Sequence, residues 1–151
     1  MHMFDSLNIS ASALTANRLR MDVTSSNIAN ASTTRGKLVN GKWEPYRRKM
    51  VVMEPREKSF NQVLKGEIQK QSQAGMQGVR VSGIVDDQTP FKMVYDPANP
   101  DANADGYVMM PNVDLSKEMV DMLAASRAYE ANITSFNTGK SIMLKALEIG
   151  R

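Results

Sequence analysis

Apolar residues recur at heptad spacing at both ends of the chain, and this pattern most constrains what the chain can fold into. Near the N-terminus these positions alternate in steps of three and four, at Phe4, Leu7, Ala11, Leu14, Met21 and Ile28. The same spacing returns near the C-terminus, at Leu115, Met119, Met122, Tyr129, Ile133, Phe136, Met143 and Leu147. Heptad spacing is typical of helices that bury a narrow seam against other helices. We therefore predict two long helices, over residues 4–31 and 114–148, each of which needs a helical partner.

The two seams are not purely apolar. Arg18 lies on the first seam and Lys140 on the second, and we expect each to pair with an acidic group on an adjoining helix. Gly139 interrupts the second helix, where glycine costs about 1 kcal/mol relative to alanine. We expect it to mark either a bend or a close approach between helices. Asp114 or Ser116 can cap the start of this helix by accepting an amide hydrogen bond.

The middle of the chain loses the helical period. Short strands are predicted at residues 43–47, 49–55, 79–85, 91–95 and 107–110, and residues 96–106 have the composition of a turn. Residues 58–78 receive no assignment. The expected fold class is α+β: long N- and C-terminal helices that pair as a coiled coil, with a small β-rich insert between them. The corresponding domain boundaries are 1–34, 35–112 and 113–151.

Composition argues against several classes of function. The net charge of +3, from 19 basic and 16 acidic residues, is too balanced for a dedicated nucleic-acid binder. The chain has no cysteine and one histidine, His2, so thiolate and histidine-based catalysis are not expected. We predict no catalytic residue, cofactor, metal ligand or small-molecule substrate. We expect neither a membrane span nor a secretory signal, so the protein should stay in the cytoplasm unless a dedicated machine exports it.

Four short motifs could carry chemistry but have simpler interpretations. Residues 101–106 match the first six positions of a calcium loop, but its twelfth position is Asn112 instead of the required glutamate. Residues 138–141 resemble the end of a phosphate loop whose first glycine is missing. We interpret Asp86-Asp87 as a solvated bend and Arg47-Arg48-Lys49 as a solvated basic surface. Two alternatives to a polymer subunit stay open: a divalent-metal enzyme that uses the acidic turn at 96–105, and a coiled-coil adaptor that does not polymerise.

Methionine is abundant, at 12 of 151 residues, and four methionines lie on the seams. Methionine fills irregular gaps and adapts to neighbours that are not identical. The pattern fits ordinary core filling and it fits a surface that packs against several inequivalent partners. The length and narrowness of the seams favour packing between molecules.

Four segments make the chain resemble a known family. The run from Leu14 to Thr34, which contains Asn27-Ile28-Ala29-Asn30, is similar to the N-terminal signature of bacterial flagellar rod, hook and hook-associated axial proteins. Three further segments support the resemblance, at residues 94–100, 106–113 and 127–132. Within that family the chain is similar to proximal rod proteins.

The resemblance implies a structural subunit that is not an enzyme. Such a subunit is exported through the flagellar type III apparatus without a cleavable signal peptide, and it polymerises in the basal-body rod outside the cytoplasmic membrane. The implied partners are other copies of the chain, other flagellar rod proteins, the basal-body adaptor protein and the export apparatus. The rod would transmit torque from motor to hook. The expected assembly interface comprises the apolar seam residues named above other than Ala11, together with Asn27 and Asn30.

Overall fold

The computed structural model describes residues 5–56 and 78–149. The first helix, α1, spans Asp5–Ala29, and the second, α2, spans Leu115–Ile149. Both agree closely with the predicted helices at 4–31 and 114–148. Phe4 and most of the unassigned segment 58–78 lie outside the described residues. Neither helix is long and apolar enough to cross a lipid bilayer.

The start of α2 has the cap that the sequence predicts. The Asp114 carboxylate accepts hydrogen bonds from the backbone N–H groups of Ser116, at 3.0 Å, and Lys117, at 3.3 Å. These amides have no partner within the helix, so the carboxylate satisfies their hydrogen bonds. Its negative charge also interacts favourably with the positive, N-terminal end of the helix dipole. Asp114, rather than Ser116, is therefore the capping residue.

Short strands lie between the helices, as predicted. They are β1 (Lys37–Val39), β2 (Lys42–Glu44), β3 (Lys49–Pro55), β4 (Val79–Asp86), β5 (Lys92–Tyr95) and β6 (Tyr107–Met110). They form three two-stranded sheets in the described part of the chain, β1–β2, β3–β4 and β5–β6. The fold is thus α+β, with two helices that enclose small antiparallel strand pairs in sequence.

The β1–β2 hairpin corrects the prediction of a single strand at 43–47, because β2 ends at Glu44 and a second strand, β1, precedes it. Asn40 and Gly41 have φ values of 50° and 77° and join the two strands in a two-residue turn. Positive φ at both central positions is what a type I′ hairpin turn requires, and Asn-Gly is its preferred sequence. The second strand stops at Glu44 because Pro45 cannot donate a ladder hydrogen bond.

The described residues fall into two compact units. One contains residues 5–18, 53–56, 78–82 and 126–149, and the other contains residues 19–52 and 83–125. We call them the terminal unit and the insert unit. Each helix contributes to both, so the units do not follow the order of the elements along the chain.

In the terminal unit, α1 and α2 approach closely at a glycine. A Cβ at Gly139 would lie 3.1 Å from Leu7 Cδ2. Of the two alternatives predicted for Gly139, a bend or a close approach between helices, the structure shows the close approach. In the same unit, Ser12 on α1 accepts a 3.1 Å hydrogen bond from the backbone N–H of Val79 at the start of β4.

In the insert unit, a small apolar core lies among α1, α2 and the strands. Its buried apolar residues are Val23, Val108, Val113 and Ala125. Asn27 and Glu118 are buried as fully as these residues, at 1% exposure each. The core of this unit therefore contains polar as well as apolar side chains, and the hydrogen bonds of the polar ones link α1, α2 and β3.

Candidate assembly surface and the polar network of the insert unit

Asn27, in the last turn of α1, uses its whole side-chain amide inside the chain. Its Nδ2 donates to the Lys49 carbonyl oxygen at 2.8 Å and to Glu118 Oε2 at 2.9 Å. Its Oδ1 accepts from the Lys49 N–H at 2.9 Å and from the Tyr46 hydroxyl at 3.0 Å. An asparagine amide offers two donors and two acceptor positions, so every one is filled. Asn27 thereby ties the end of α1 to the first residue of β3 and to α2.

Arg48 and Glu118 form the charged part of the same network. Arg48 Nε donates to Glu118 Oε1 at 2.6 Å, while the other carboxylate oxygen of Glu118 accepts from Asn27. Arg48 also contacts Asp87 Oδ2 at 3.4 Å and Asp121 Oδ2 at 3.5 Å. A buried carboxylate is tolerated only when it is paired and hydrogen-bonded, and Glu118 meets both conditions.

Asn112 and Asp87 extend the network to the loops beside β4 and β6. Asn112 Oδ1 accepts from the Arg48 N–H at 2.8 Å, and its Nδ2 donates to the carbonyl oxygens of Asp87 and Thr89. The Asp87 carboxylate accepts from the Thr89 N–H at 3.0 Å. These bonds satisfy backbone groups that the short strands leave unpaired.

The pKa shifts in this network agree with its geometry. Burial alone would lower the pKa of Arg48, but the hydrogen bonds and charges of Glu118 and Asp87 outweigh burial and raise it. The pKa of Asp87 is lowered, chiefly by the Thr89 N–H and also by the Thr89 hydroxyl and Arg48, against a smaller effect of burial. Arg48 and Asp87 therefore both stay ionised at neutral pH.

Two interpretations of short motifs are wrong in part, since Lys49 and Asp86 are exposed but the residues beside them are not. Arg48 is not part of a solvated basic surface, because its side chain is 14% exposed and surrounded by acidic groups. Asp87 is not a solvated bend residue, because its side chain is 16% exposed and hydrogen-bonded. Sequence reasoning also missed Glu118. One signal could have found it: its charge lies one position before the predicted seam residue Met119, at the start of a helix.

The loop that resembles a calcium site is held by protein groups. Thr34 Oγ1 and Arg35 Nε each donate to the Asp101 carboxylate at 2.7 Å. The hydrogen bonds of Arg35 and Thr34, with the Arg35 charge, lower the pKa of Asp101 against a small opposing effect of burial. Asn103 Oδ1 accepts from the N–H groups of Asp105 and Tyr107. The described residues contain no group of three or more acidic, His or Cys side chains that could hold a metal ion.

The predicted interface residues separate into three groups by exposure. Asn27 is buried in its own chain. Those that are half-buried are Leu7, Leu14, Met21, Ile28, Asn30, Met122, Tyr129, Phe136 and Met143. Those that are exposed, all on α2, are Leu115, Met119, Ile133 and Leu147.

The residues that α1 and α2 bury most deeply are not the predicted seam residues. On α1 they include Ala16 and Val23, and on α2 they are Glu118 and Ala125. Of the polar seam residues, Arg18 and Lys140 are exposed, and no ion pair of either is seen within the described part of the chain. The heptad period thus holds, but the deepest face of each helix is rotated from the apolar positions.

Two hairpins also expose apolar side chains. On β1–β2, Leu38 and Trp43 are cross-strand partners, 55% and 57% exposed. On β5–β6, Met93 pairs with Met109 and Tyr95 pairs with Tyr107. Directly opposed residues and residues two apart share a face of a strand pair, so these last four side chains form one apolar face. Neither surface belongs to the predicted assembly interface.

Family models match both ends of the chain. The one described as "Flagella basal body rod protein" matches residues 7–36, and the one described as "Flagellar basal body rod FlgEFG protein C-terminal" matches residues 104–149. The first match covers most of α1 and the second covers α2 with β6. Both contain parts of the network around Asn27 and Glu118.

Relatives match over the full length. The chain is 56% identical over 151 residues to the flagellar basal-body rod protein FlgC of Bacillus subtilis (strain 168), with 100% of both chains covered. It is 47% identical over 155 residues to the protein of the same name from Borreliella burgdorferi, which covers 99% of this chain and 98% of that one. It is 41% identical over 151 residues to the one from Escherichia coli O157:H7, with both chains fully covered.

Proposed function

The chain belongs to the family of FlgC flagellar basal-body rod proteins, and on this premise we propose that it polymerises with its own copies and with other rod proteins in the proximal rod. It is a structural subunit of the basal-body rod and not an enzyme. In this proposal the rod carries torque from the motor to the hook. The subunit reaches its place outside the cytoplasmic membrane through the type III export apparatus, without a cleavable signal peptide. At the base of the rod it contacts the basal-body adaptor protein.

The exposed apolar residues of α2 carry the proposal. Leu115 is 44% exposed, Met119 54%, Ile133 37% and Leu147 72%. They share a heptad pattern with the half-buried residues of the same helix. Large apolar side chains repeated along one helix are an unfavourable surface in water and are typical of a protein–protein contact. Neighbouring subunits would cover them.

The half-buried seam residues fit a second part of the proposal, in which α1 and α2 pair as a coiled coil in the rod. In the insert unit, Arg20 on α1 contacts Asp121 on α2 at 3.4 Å, and Asn27 bonds to Glu118. The numbering rises along α1 as it falls along α2, so this part of the pair is antiparallel. Leu14, Met21, Tyr129 and Phe136 can complete their burial when another subunit packs alongside.

A coiled-coil adaptor that does not polymerise would need the same kind of exposed helix. The difference lies in the interface, because an adaptor needs a closed contact, whereas a rod needs a contact between unlike surfaces that repeats without closing. Membership of a rod-protein family favours the polymer.

A pair of charge substitutions on α2 tests the proposal. Met119→Glu places a carboxylate among the exposed apolar residues. Ala124→Glu is the matched control, because Ala124 is also exposed on α2 but lies five residues on, at another side of the helix. We expect Met119→Glu to abolish rod assembly and swimming, and Ala124→Glu to preserve both. Electron microscopy of basal bodies and a soft-agar motility assay measure the result.

Folding of the two purified variants must be compared with that of the unsubstituted chain. Both substitutions are at exposed positions, so we expect changes in unfolding free energy within about 0.5 kcal/mol. Normal rods and normal swimming in the Met119→Glu strain would contradict the proposed interface.

A further inference from the structure

We propose that Asn40 is a site of spontaneous covalent modification, at which the Gly41 backbone nitrogen cyclises onto the Asn40 side chain and water then yields isoaspartate and aspartate. Both residues are exposed and form the two-residue turn of the β1–β2 hairpin. The reaction needs only this chain and solvent water. The inference therefore does not depend on the proposed function.

The reaction has two steps, ring closure and ring opening. In the first, the Gly41 nitrogen attacks Asn40 Cγ to form a new N–C bond, the bond from Cγ to Nδ2 breaks, and ammonia leaves with the proton of the Gly41 N–H. The product is a five-membered succinimide ring. In the second step, water attack at Cγ gives aspartate with a normal main chain. Water attack at the main-chain carbonyl carbon of residue 40 gives isoaspartate, whose main chain runs through Cβ and Cγ.

The residue after each asparagine sets Asn40 apart in the sequence. Asn40 is the only asparagine of the chain that is followed by glycine, which has no side chain to obstruct the attacking nitrogen. Asn99 is followed by proline, whose nitrogen carries no proton to lose. Asn27 and Asn112 are followed by isoleucine and valine, whose β-branched side chains crowd the nitrogen.

The reacting groups at Asn40 and Gly41 are not engaged elsewhere. The strand ladder next to the turn pairs Val39 with Lys42, so the Gly41 N–H lies outside the ladder. Across residues 5–56 and 78–149, no hydrogen bond is seen for this N–H or for the Asn40 side chain. A Cβ built at Gly41 would meet nothing within 4 Å, so the space around the attacking nitrogen is open. The amide of Asn27, in contrast, has all its hydrogen-bonding positions filled.

The hairpin can reach the ring-closing geometry without separating its strands. Closure of the ring requires the peptide unit between Asn40 and Gly41 to turn over, from a ψ of about 30° in a type I′ turn to about −120°, which is the value in a type II′ turn. Both turn types have φ near 60° at the first central residue, and Asn40 has φ 50°. Gly41 must change from φ 77° to about −80°, and glycine adopts both signs readily. Because both turn types fit the twist of a hairpin, β1 and β2 stay paired during the change.

The two products affect the hairpin differently. Aspartate keeps the length of the main chain and adds one negative charge at the exposed turn. Isoaspartate adds a methylene group to the main chain inside a two-residue turn, so the turn no longer matches the register in which Leu38 faces Trp43. Modification of Asn40 therefore alters the hairpin that exposes the only tryptophan of the chain.

Timed incubation of the purified full chain in mildly alkaline buffer, followed by peptide mapping, tests the inference. Cleavage after arginine releases residues 36–47, in which Asn40 is the only asparagine or glutamine. Liquid chromatography with mass spectrometry separates the asparagine, aspartate and isoaspartate forms of this peptide, and a sample taken before incubation corrects for product formed during digestion. We expect both acidic forms to accumulate, each with one oxygen from isotopically labelled water. The rate in the folded chain should lie within about tenfold of the rate in the urea-unfolded chain, because the turn can change type while the strands stay paired.

Asn40→Gln is the matched control. Glutamine keeps the side-chain amide but must close a six-membered ring, so this variant should stay unmodified while the unsubstituted chain converts. Circular dichroism checks that both chains are folded. Asn27 and Asn112 serve as internal controls in the same digest and should also stay intact.

Three results would overturn the inference. The first is a folded chain that reacts more than about tenfold slower than the unfolded one, because the native turn would then protect Asn40. The second is aspartate without isoaspartate, because direct hydrolysis would then replace the ring. The third is conversion of Asn40→Gln, or of Asn112, at the same rate as Asn40.

Discussion

Replacing Asn27 by alanine is the perturbation that best tests how the insert unit is held together. The amide of Asn27 forms four hydrogen bonds, two with the backbone of Lys49, one with Glu118 and one with Tyr46. Alanine removes all four hydrogen bonds. Their partners then lack the Asn27 amide at a site that is shielded from water, since Asn27 is 1% exposed. We expect the free energy of unfolding to fall by about 3–4 kcal/mol.

The magnitude follows from what happens to each partner. The Lys49 N–H and C=O lose their side-chain partner, at about 1 kcal/mol each, and the buried Glu118 carboxylate loses one donor, at about 1.5 kcal/mol. Glu118 keeps Arg48, which limits the loss. The Tyr46 hydroxyl keeps Ser26 Oγ at 3.4 Å, so its contribution is smaller. The higher helix propensity of alanine offsets a few tenths of a kcal/mol.

Asn30→Ala is the matched control. Asn30 lies three residues further on and is half-buried, and within the described residues its amide donates only to the Ser26 carbonyl and accepts only from the Thr33 hydroxyl. We expect its loss to cost less than about 1 kcal/mol. Urea unfolding of the purified chain, followed by circular dichroism, measures both variants. Equal stability of Asn27→Ala and Asn30→Ala would refute the reasoning, because it would mean that the four bonds of the buried Asn27 contribute no more than the two bonds of the half-buried Asn30.

Three further predictions concern the close helix approach and the Asp101 loop. Gly139→Ala should change the unfolding free energy by less than about 1 kcal/mol, because the higher helix propensity of alanine offsets the steric contact of its Cβ with Leu7 Cδ2. A loss above about 2 kcal/mol in urea unfolding would contradict this. NMR titration should give Asp101 a pKa below its ordinary value of 3.8, and Arg35→Gln should raise it. Because the folded pKa is lowered, the stability that this contact adds is complete above pH 3.8 and is lost as the pH falls through the folded pKa. If the pKa of Asp101 were the same in Arg35→Gln as in the unsubstituted chain, the pairing would be refuted. Calcium should produce no binding heat by calorimetry, since Arg35 and Thr34 already fill the Asp101 carboxylate; a saturable heat would disagree with that geometry.

The number and type of elements could be predicted because they depend on local signals. Heptad spacing predicted both helices to within a few residues of their observed ends. The extended segments read from the sequence predicted β3, β4, β5 and β6, and glycine at 139 predicted either a bend or a close helix approach, of which the structure shows the close approach. The strand β1 was missed although its signal, Asn40-Gly41, was present in the sequence. The family was predictable too, because the signature segments lie within α1, the β5–β6 region and α2.

The polar network could not be predicted, because its members are far apart in sequence. Asn27, Arg48 and Glu118 are each ordinary surface residues by type, and the interpretation of residues 47–49 as a solvated surface followed from that. Only the fold places Arg48 and Asn27 on the two oxygens of one buried carboxylate. Such contacts depend on distances between elements, and the spacing of residues along the chain does not reveal these distances.

The sequence by itself therefore determined that the protein has two long helices with heptad spacing, a β-rich region between them and the signature segments of a rod-protein family. The tertiary structure decided which face of each helix is buried, since a satisfied asparagine and a paired glutamate, rather than the apolar seam, occupy the centre of the insert unit. The physical reason is that helical period depends on neighbours three or four residues away. Burial of a polar group instead depends on partners that only the folded chain brings within hydrogen-bonding distance.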